Sequence, residues 1–284
     1  MTAIQYDVKT WLDNNHHYFL PPICNKLMYQ DGQLKVFFVG GPNQRKDFHM
    51  EEGEEFFYML KGDMTLIVYE RYHFRNITIK EGEVFMLPAH IPHSPQRNAD
   101  TIGLVIERER KTSELDLLRY YVDDSDEILY EKWFYCKSLE ELGPLIKEFF
   151  ESKQFMTGRP IPGTLFEDKP IKQDFGRKLH DPFSLKTWLH SNQDALEKVG
   201  KLKLFDGSFV SRIHVLGKGC HSPDPDLPET FLWQIEGSSL IRMASKNYEL
   251  RSGETMLIPA DEKYEISAES KCRILSVVMN PFTE

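Results

Sequence analysis

The chain has 284 residues, of which 40% are hydrophobic and 28% charged, and its formal net charge is -9. This composition is that of a globular protein and excludes a largely disordered chain. The acidic balance argues against a general nucleic-acid-binding protein. The N-terminus has no apolar signal region, and no run of about 18 apolar residues occurs in the sequence. We therefore expect a cytosolic protein that binds neither nucleic acid nor a membrane.

The length allows one large domain or two ordinary ones. The cysteines are dispersed and form no CxxC pair, so we expect reduced thiols and no zinc site built from cysteine. They are Cys24, Cys136, Cys220 and Cys272.

Short strands are predicted first along the chain, between residues 32 and 107. The segments QLKVFFVG, EFFYMLKG, MTLIVYE, NITIK, EVFMLP and IGLVIER are rich in β-branched and aromatic residues and are separated by turns that contain glycine. This density of strands predicts an antiparallel sandwich or barrel. A helical pattern follows at 138–155, and the segment 157–182 is rich in proline, glycine and charge, as linkers are.

After the linker the pattern of the first half returns. KTWLDNN (9–15) is echoed by KTWLHSN (186–192), FYMLKGDMTLIV (57–68) by LWQIEGSSLIRM (232–243), and GEVFMLPAHIPH (82–93) by GETMLIPADEKY (253–264). Three similarities in the same order indicate an internal duplication. We therefore predict a first domain at 1–162, a linker at 163–179 and a second domain at 180–284.

Two histidines and a glutamate of the first copy have the spacing of metal ligands. His49 and Glu55 flank a turn-like EEGE segment, and His93 follows the strand GEVFMLP. A β-barrel can bring residues of separate strands together at its mouth, and two imidazoles with one carboxylate bind first-row divalent metals. The alternative is that each histidine is simply packed or exposed. We expect the intervening Glu51 and its acidic neighbours to form a solvated turn.

The frame around these residues resembles the two motifs of the cupin family. The matching positions are Gly41, Asp47, His49, Glu55 and Gly62 in the first motif and Gly82, Pro88, His90, His93 and Arg97 in the second. Three of them depart from the family pattern: Asp47 replaces a histidine, His90 a glycine and Arg97 an asparagine. The resemblance implies a mainly β fold of two cupin barrels (double-stranded β-helix, or jelly-roll) with a few helices.

These three departures indicate one particular family of cupin enzymes. Together with NKLMYQ (25–30), GGPNQRKDFH (40–49), LPAHIPHSPQR (87–97) and EKWFYCK (131–137), they are similar to the animal-type 3-hydroxyanthranilate 3,4-dioxygenase family of two-cupin enzymes. An arginine just before the first motif and another at the end of the second are not general cupin features. The resemblance extends over nearly the whole chain.

That family resemblance implies an Fe(II)-dependent ring-cleaving dioxygenase. Its substrates would be 3-hydroxyanthranilate and O2, and its product 2-amino-3-carboxymuconate semialdehyde, which leads to quinolinate and NAD in the kynurenine pathway of tryptophan catabolism. Fe(II) would be held by His49, Glu55 and His93, and Glu55 would also lie against the substrate. We expect a monomer.

The same resemblance implies roles for three further residues. Arg97 would clamp the substrate carboxylate, because a planar guanidinium can form two parallel hydrogen bonds with it. Arg45 would lie beside substrate and oxygen as a binding and catalytic residue. Glu107 would bind the substrate and act as acid and base; without the resemblance it would be read as an ordinary carboxylate at a strand end. Apart from these three residues, we expect Asn25 to line the site through its loop, and Asp47 is a candidate partner for a ligand histidine by its proximity in the sequence alone.

The second copy lacks all three candidate ligands. Aligning the motif glycines places Asp224 and Thr230 at the positions of His49 and Glu55, and aligning the motif prolines places Tyr264 at that of His93. His221 lies nearby but out of register. We therefore expect the second cupin to be degenerate and metal-free.

Two other classes of protein fit a cupin metal site. A metal-dependent isomerase acting on a sugar or keto acid would need no oxygen, so turnover without oxygen would identify it. A metal-binding regulator or storage protein would bind ligand without turnover. Zinc or nickel would accept the same three ligands as iron, so the spacing alone does not specify the metal.

Overall fold

The structure is a computed structural model and describes residues 3–138, 141–244 and 246–279. It is mainly β. The strands are β1 (Ile4–Asp7), β2 (Asn25–Leu27), β3 (Leu34–Gly40), β4 (Phe48–Met50), β5 (Glu55–Lys61), β6 (Met64–Glu70), β7 (His73–Ile79), β8 (Glu83–Leu87), β9 (His93–Arg97), β10 (Ile102–Arg108), β11 (Asp116–Tyr121), β12 (Ile128–Phe134), β13 (Phe183–Ser184), β14 (Lys201–Lys203), β15 (Arg212–Leu216), β16 (Gly219–His221), β17 (Thr230–Glu236), β18 (Ser238–Met243), β19 (Asn247–Arg251), β20 (Glu254–Ile258), β21 (Tyr264–Ala268) and β22 (Arg273–Val278). The α-helices are α1 (Val8–Asn15), α2 (Leu142–Phe150), α3 (Lys153–Thr157), α4 (Leu185–Ser191) and α5 (Gln193–Val199).

The predicted strands between residues 33 and 108 all form, as β3, β5, β6, β7, β8 and β10. Sequence patterns did not predict β4 and β9, which carry candidate ligands. β4 has three residues, and β9 reads HSPQR, which lacks the apolar and β-branched residues of a typical strand. Both form because they pair with each other and with longer neighbouring strands.

Two compact units make up the chain. The central unit comprises residues 39–104 and 109–183, and the terminal unit comprises residues 1–38, 105–108 and 184–284. The domain boundaries drawn from the sequence at residues 162 and 180 stay a prediction.

One antiparallel sheet of the central unit carries most of the candidate site. Its strand order is β12-β11-β4-β9-β6-β7, so the short strands β4 and β9 lie in its middle. Outside this sheet, β5 pairs with β8, which sets Glu55 opposite Leu87. The start of β5 and the start of β9 are therefore both held by pairing on neighbouring strands.

The terminal unit has two sheets, of order β1-β20-β17-β22-β15-β14 and β16-β21-β18-β19. Apolar side chains from both sheets form one buried cluster. Its members include Leu216, Leu232, Ile241, Leu250, Met256, Ile266 and Ile274. In each unit, a turn that joins two consecutive strands of different sheets contains a glycine with a positive φ: Gly62 (67°) between β5 and β6, and Gly237 (73°) between β17 and β18. Glycine adopts this conformation without strain. The second echo seen in the sequence is therefore the same strand–turn–strand segment built twice.

The repeated KTWL segments are helices with the same N-terminal cap. The side chain of Asp7 accepts a hydrogen bond from the backbone N–H of Thr10 (2.7 Å), and Ser184 does the same for Thr187 (3.2 Å). Each cap satisfies a donor that a helix start leaves open. The repeated KTWL sequence is therefore explained by the start of a helix in each unit and is not a catalytic motif.

The helix predicted over 138–155 is divided into α2 and α3, and residues 139–140 lie outside the described part of the chain. The division falls at Ser152, whose hydroxyl accepts from the backbone N–H of Phe155 (3.1 Å) and starts a new helix. No helix in the described residues is long and apolar enough to cross a bilayer. None of the four cysteines, all of which lie in the described residues, forms a disulfide.

Candidate metal centre

His49, Glu55 and His93 come together in the central unit. His49 and His93 are directly opposed in the antiparallel pair of β4 and β9, and their ring centroids are 5.5 Å apart. The Nε2 atom of His93 lies 3.0 Å from Oε1 of Glu55. All three residues are buried, and each offers a ligand atom within 4.8 Å of the others. The structure thus assembles the three residues predicted as ligands.

Electrostatics couple Glu55 to His93 within this triad, so a metal that binds there would displace the proton that the two share. Burial alone would raise the pKa of Glu55, but the charge and hydrogen bond of His93 outweigh burial and hold that pKa below its usual value. Burial likewise opposes a charged His93, but Glu55 outweighs it and raises the pKa of the imidazole. The backbone carbonyl of Ile91 lies 3.1 Å from Nδ1 of His93 and fixes the ring. A buried carboxylate and two imidazoles are donors that suit a first-row divalent metal.

Asp116, and not Asp47, supports His49. Oδ2 of Asp116 lies 2.7 Å from Nε2 of His49, so one ring nitrogen of His49 is engaged and the other remains for a metal. A carboxylate behind a ligand histidine fixes its tautomer and orientation. Asp47 instead accepts hydrogen bonds from the guanidinium of Arg45. The expectation that Asp47 supports a ligand histidine is wrong, because its carboxylate accepts hydrogen bonds from Arg45 and Asp116 takes the place beside His49.

Sequence reasoning missed Asp116 because it is far from His49 along the chain. The two meet because β11 pairs with β4, with Leu118 opposite His49. Burial opposes the charge of Asp116, but its bond with His49 and the positive charge of Arg110 prevail and hold the pKa of Asp116 below its usual value. No local motif in the sequence marks such a pairing.

The expectation of a solvated turn for Glu51 is also wrong. Glu51 is only 2% exposed, and its carboxylate forms an ion pair with Arg110. Its neighbours Glu52 and Glu54 are half-buried, and Oε2 of Glu52 lies 2.5 Å from Nε2 of His90. Three of the four glutamates in this part of the sequence thus differ in their contacts: Glu55 is a candidate ligand, Glu51 forms a buried ion pair and Glu52 contacts a histidine.

The two arginines that were predicted to contact the substrate lie close to the triad in the sequence. They differ in burial and in their hydrogen-bond partners. Arg97 ends β9 and is buried, and its Nε donates to the carbonyl oxygen of Gly40 (2.9 Å). Arg45 is half-buried, and its Nε lies 3.0 Å from Oδ2 of Asp47. Burial opposes its charge, but Asp47 outweighs burial and raises the pKa of Arg45. Arg45 also lines an open cavity of about 890 Å³, together with Phe48 and aromatic residues of β11.

The two remaining predicted residues lie in the terminal unit. Glu107 is on β10, within the segment 105–108, and is 7% exposed. A strand-end carboxylate that is this well buried is not an ordinary solvated one. Asn25 begins β2 and is half-buried, and its Nδ2 donates to the carbonyl oxygen of Ile23. The roles given to both residues stay predictions.

The three aligned positions of the second copy also converge, but they pair with other side chains. Asp224, Thr230 and Tyr264 line one small cavity of the terminal unit. The hydroxyl of Tyr264 donates to Oγ1 of Thr230 (3.3 Å), and Asp224 forms ion pairs with Lys201 (3.5 Å) and Arg212 (3.2 Å). Thr230 and Tyr264 begin β17 and β21 as Glu55 and His93 begin β5 and β9, whereas Asp224 lies between β16 and β17 and His49 lies on β4.

His221 lies on the wall of the same cavity. Its Nε2 is 2.9 Å from the carbonyl oxygen of Gly217.

Comparison with known proteins agrees with this geometry. The family model for 3-hydroxyanthranilic acid dioxygenase matches residues 1–150. The chain is 46% identical over 275 residues to the 3-hydroxyanthranilate 3,4-dioxygenase of Rattus norvegicus and 45% identical over 275 residues to that of Homo sapiens, with 96% of each chain covered in both comparisons. The resemblance inferred from the motifs is confirmed.

Solved structures show the same fold at low sequence identity. A salicylate 1,2-dioxygenase from Pseudaminobacter salicylatoxidans aligns with a TM-score of 0.58 and 11% identity, covering 99% of this chain and 85% of that chain. An identity this low shows the fold alone. The mainly β, two-cupin fold predicted from the sequence is confirmed, and donors that could bind a metal in the first copy are replaced in the second.

Proposed function

Because the chain belongs to the 3-hydroxyanthranilic acid dioxygenase family, we propose that it opens the ring of 3-hydroxyanthranilate with O2 at the His49–Glu55–His93 site. The product would be 2-amino-3-carboxymuconate semialdehyde, which contains both oxygen atoms of O2. The observation that carries this proposal is the buried set of two imidazoles and one carboxylate, in a chain 46% identical over 96% of its length to a relative of that name.

We propose Fe(II) as the metal held by His49, Glu55 and His93. When bound, Fe(II) supplies a redox-active centre through which an electron-rich ring and O2 can react. The residues present fit it: three protein donors leave coordination positions open, and Asp116 and the carbonyl of Ile91 orient the two imidazoles. Zinc and nickel accept the same donors, so metal analysis and reconstitution with each metal separate iron from the alternatives.

Arg97 is proposed to bind the substrate carboxylate. It is buried close in sequence to His93, on the same strand, and its bond to Gly40 holds the guanidinium in a fixed orientation. Charge-assisted bonds to a carboxylate in such a setting position a planar substrate strongly. Arg45 is proposed to add positive charge on the substrate side. Its pairing with Asp47 keeps it in place there.

Glu107 is proposed to accept the proton of the substrate hydroxyl and to return it after ring opening. A buried carboxylate suits this work, because it is shielded from bulk water and holds a transferred proton at a fixed atom. Replacement by glutamine keeps the shape and removes the base. Glu107→Gln should therefore lower kcat and leave metal content at the wild-type level, and a wild-type kcat in that variant would contradict the role.

The test of the proposed reaction is oxygen consumption by the purified chain with Fe(II) and 3-hydroxyanthranilate. We expect one O2 consumed per substrate and, with ¹⁸O2, a product that carries two labelled atoms. No product should form without oxygen. Product formed without oxygen would instead support an isomerase. Tight binding without turnover would support a binding protein, and either result would overturn the proposal.

We also propose a cytosolic monomer. Free cysteines are typical of reducing compartments, and the three proposed metal ligands all come from one unit of one chain. Light scattering on the Fe(II)-loaded protein tests the oligomeric state, and a mass of two chains would contradict it.

A further inference from the structure

Arg110 is a buried arginine that lies between two buried carboxylates behind the proposed metal site. Its side chain is 4% exposed, that of Glu51 is 2% exposed and that of Asp116 is 0% exposed. The Arg110 guanidinium forms an ion pair with Glu51. It also donates to Asp116 through Nε (3.1 Å to Oδ1) and through Nη2 (3.0 Å to Oδ2). This fork fixes the Asp116 carboxylate, which in turn contacts His49.

The residues around Arg110 form a second group with donors suited to a metal. His49, Glu51 and Asp116 each offer a ligand atom within 4.8 Å of the others. This group shares His49 with the proposed site, but it contains two carboxylates where the His49–Glu55–His93 group contains one. On charge alone, a divalent cation would favour the group with two carboxylates, because buried charges interact strongly.

The difference between the two groups is that one already contains a cation. A guanidinium carries its charge at every physiological pH, and here it forms a fork with Asp116 and an ion pair with Glu51. Both carboxylates are thus neutralised by a group fixed to the chain. Among the ion pairs of the described residues, Glu55 takes part in one, with His93, and no arginine or lysine pairs with it.

We propose that Arg110 is a positioning residue that fills the His49–Glu51–Asp116 group as a permanent cation. A metal is thereby directed to His49, Glu55 and His93, and Asp116 is held against one ring nitrogen of His49 so that the other faces the metal. This inference rests on the proposed metal site and adds the residue that decides between two of the three overlapping groups of described residues that could hold a metal.

The experiment uses the full chain and Co(II) as the probe, because its visible spectrum reports the number and type of ligands. Stoichiometry and affinity are measured by titration in wild type, Arg110→Met and Arg110→Lys. The matched control is Arg119→Met, since Arg119 is as buried as Arg110 and forms an ion pair with Glu131 on a neighbouring strand. No candidate metal group of the described residues includes Arg119's partner.

Wild type should bind one Co(II). Arg110→Met should bind a second Co(II) or give one with an altered spectrum and an affinity changed by about 10-fold or more. Arg110→Lys keeps the charge and loses the fork, so it should bind one Co(II) about 10-fold more weakly. Arg119→Met should keep the wild-type spectrum and stoichiometry.

A double variant separates the proposal from general distortion. Arg110→Met combined with Glu51→Gln removes the positive charge together with one negative charge, and should restore one Co(II) with a spectrum close to wild type. The proposal is overturned if a folded Arg110→Met binds one Co(II) with wild-type affinity and spectrum, or if the double variant is as altered as the single one.

Two further results decide the remaining cases. If Arg110→Met does not fold, wild-type affinity in Arg110→Lys overturns the proposal. If wild type binds no Co(II), or binds it unchanged after His93→Ala, the proposed metal site itself fails, which is a different result.

Discussion

In the central unit, His49, Glu55 and His93 face one another and can share a cation. In the terminal unit, the aligned positions hold Asp224 and two hydroxyl-bearing residues. There, a tyrosine hydroxyl bonds a threonine hydroxyl, and Asp224 pairs with Lys201 and another basic side chain. The positive charge that a metal would supply in one unit is thus supplied by side chains in the other.

The two units differ at the site and not in the turn beside it, since the turn glycines Gly62 and Gly237 both have a positive φ, of 67° and 73°. The strands are specified by turns and apolar cores, and those are retained where the donors are not. This agrees with the general observation that chemistry is carried by a few side chains placed on a reusable fold.

The largest expected effect comes from removing a ligand of the central unit. Glu55→Ala should lower metal affinity and turnover at least about 100-fold, because a lost ligand costs more than a lost supporting partner. The measurements are iron content after dialysis and oxygen consumption with 3-hydroxyanthranilate. The matched change in the terminal unit, Thr230→Ala, should alter neither.

The opposite pattern would contradict the comparison. If Thr230→Ala released iron, or if Glu55→Ala retained both iron and wild-type turnover, the metal would have to be assigned elsewhere. Both variants should be compared by thermal unfolding, so that a loss of fold is not mistaken for a loss of ligand.

Much of this contrast could be predicted from the sequence, because short-range patterns specify it. Strand β5 reads EFFYMLK and is preceded by a glutamate-rich turn, and the motif glycines give the register that places Thr230 at the position of Glu55. The side chains His49, Glu55 and His93 were identified by their spacing together with the glycines and prolines of the cupin motifs that frame them, and the structure brings them together.

The supporting groups could not be predicted in the same way. Asp116 reaches His49 through a pairing of β11 with β4 that no local pattern encodes. Glu51 has the sequence context of an exposed turn, and its burial depends on Arg110, which lies 59 residues away in the chain. Ion pairs of this kind are set by tertiary structure, so one sequence does not reveal which charges are buried.

Arg97→Ala should have the next largest effect. It gives the central unit the residue that the terminal unit has at the aligned position, Ala268. Loss of charge-assisted hydrogen bonds worth about 1.5–3 kcal/mol should raise KM about 10- to 100-fold and leave iron bound. Steady-state kinetics with parallel iron analysis measure both. Loss of iron would show that Arg97 supports the ligands, and an unchanged KM would contradict a carboxylate clamp.

One histidine in each unit has a shifted pKa, and the two shifts have opposite directions. The shift in the terminal unit predicts that stability depends on pH. Burial, followed by the nearby charge of Lys201, lowers the pKa of His214 to about 4, whereas Glu55 raises that of His93. An unfolded histidine takes up its proton near its usual pKa of about 6.5. Between that pH and about 4 the unfolded chain binds more protons than the folded one, so stability falls as the pH falls.

The size and test of this effect follow from the exposure of His214. Because the side chain is only partly buried, we expect a loss of about 1–2 kcal/mol between pH 6.5 and 4, reduced from the full linkage by solvent screening. His214→Gln should remove that part of the slope in urea unfolding at several pH values. The charged groups that face the imidazole, Lys201, Lys203, Arg212 and Asp224, are kept. An unchanged slope would contradict the assignment.

The smallest expected effect tests the position that His93 and Tyr264 share. Tyr264→Phe removes one hydrogen bond, from the hydroxyl to Thr230 at 3.3 Å, and should lower stability by about 0.5–1 kcal/mol with no change in iron content or turnover. His93→Phe places the same ring in the central unit and should abolish iron binding, because the ring offers no donor to replace Nε2 beside Glu55. Chemical unfolding and metal analysis of the pair measure both. If Tyr264→Phe lowered turnover, the terminal unit would have a part in the reaction that its paired side chains do not suggest.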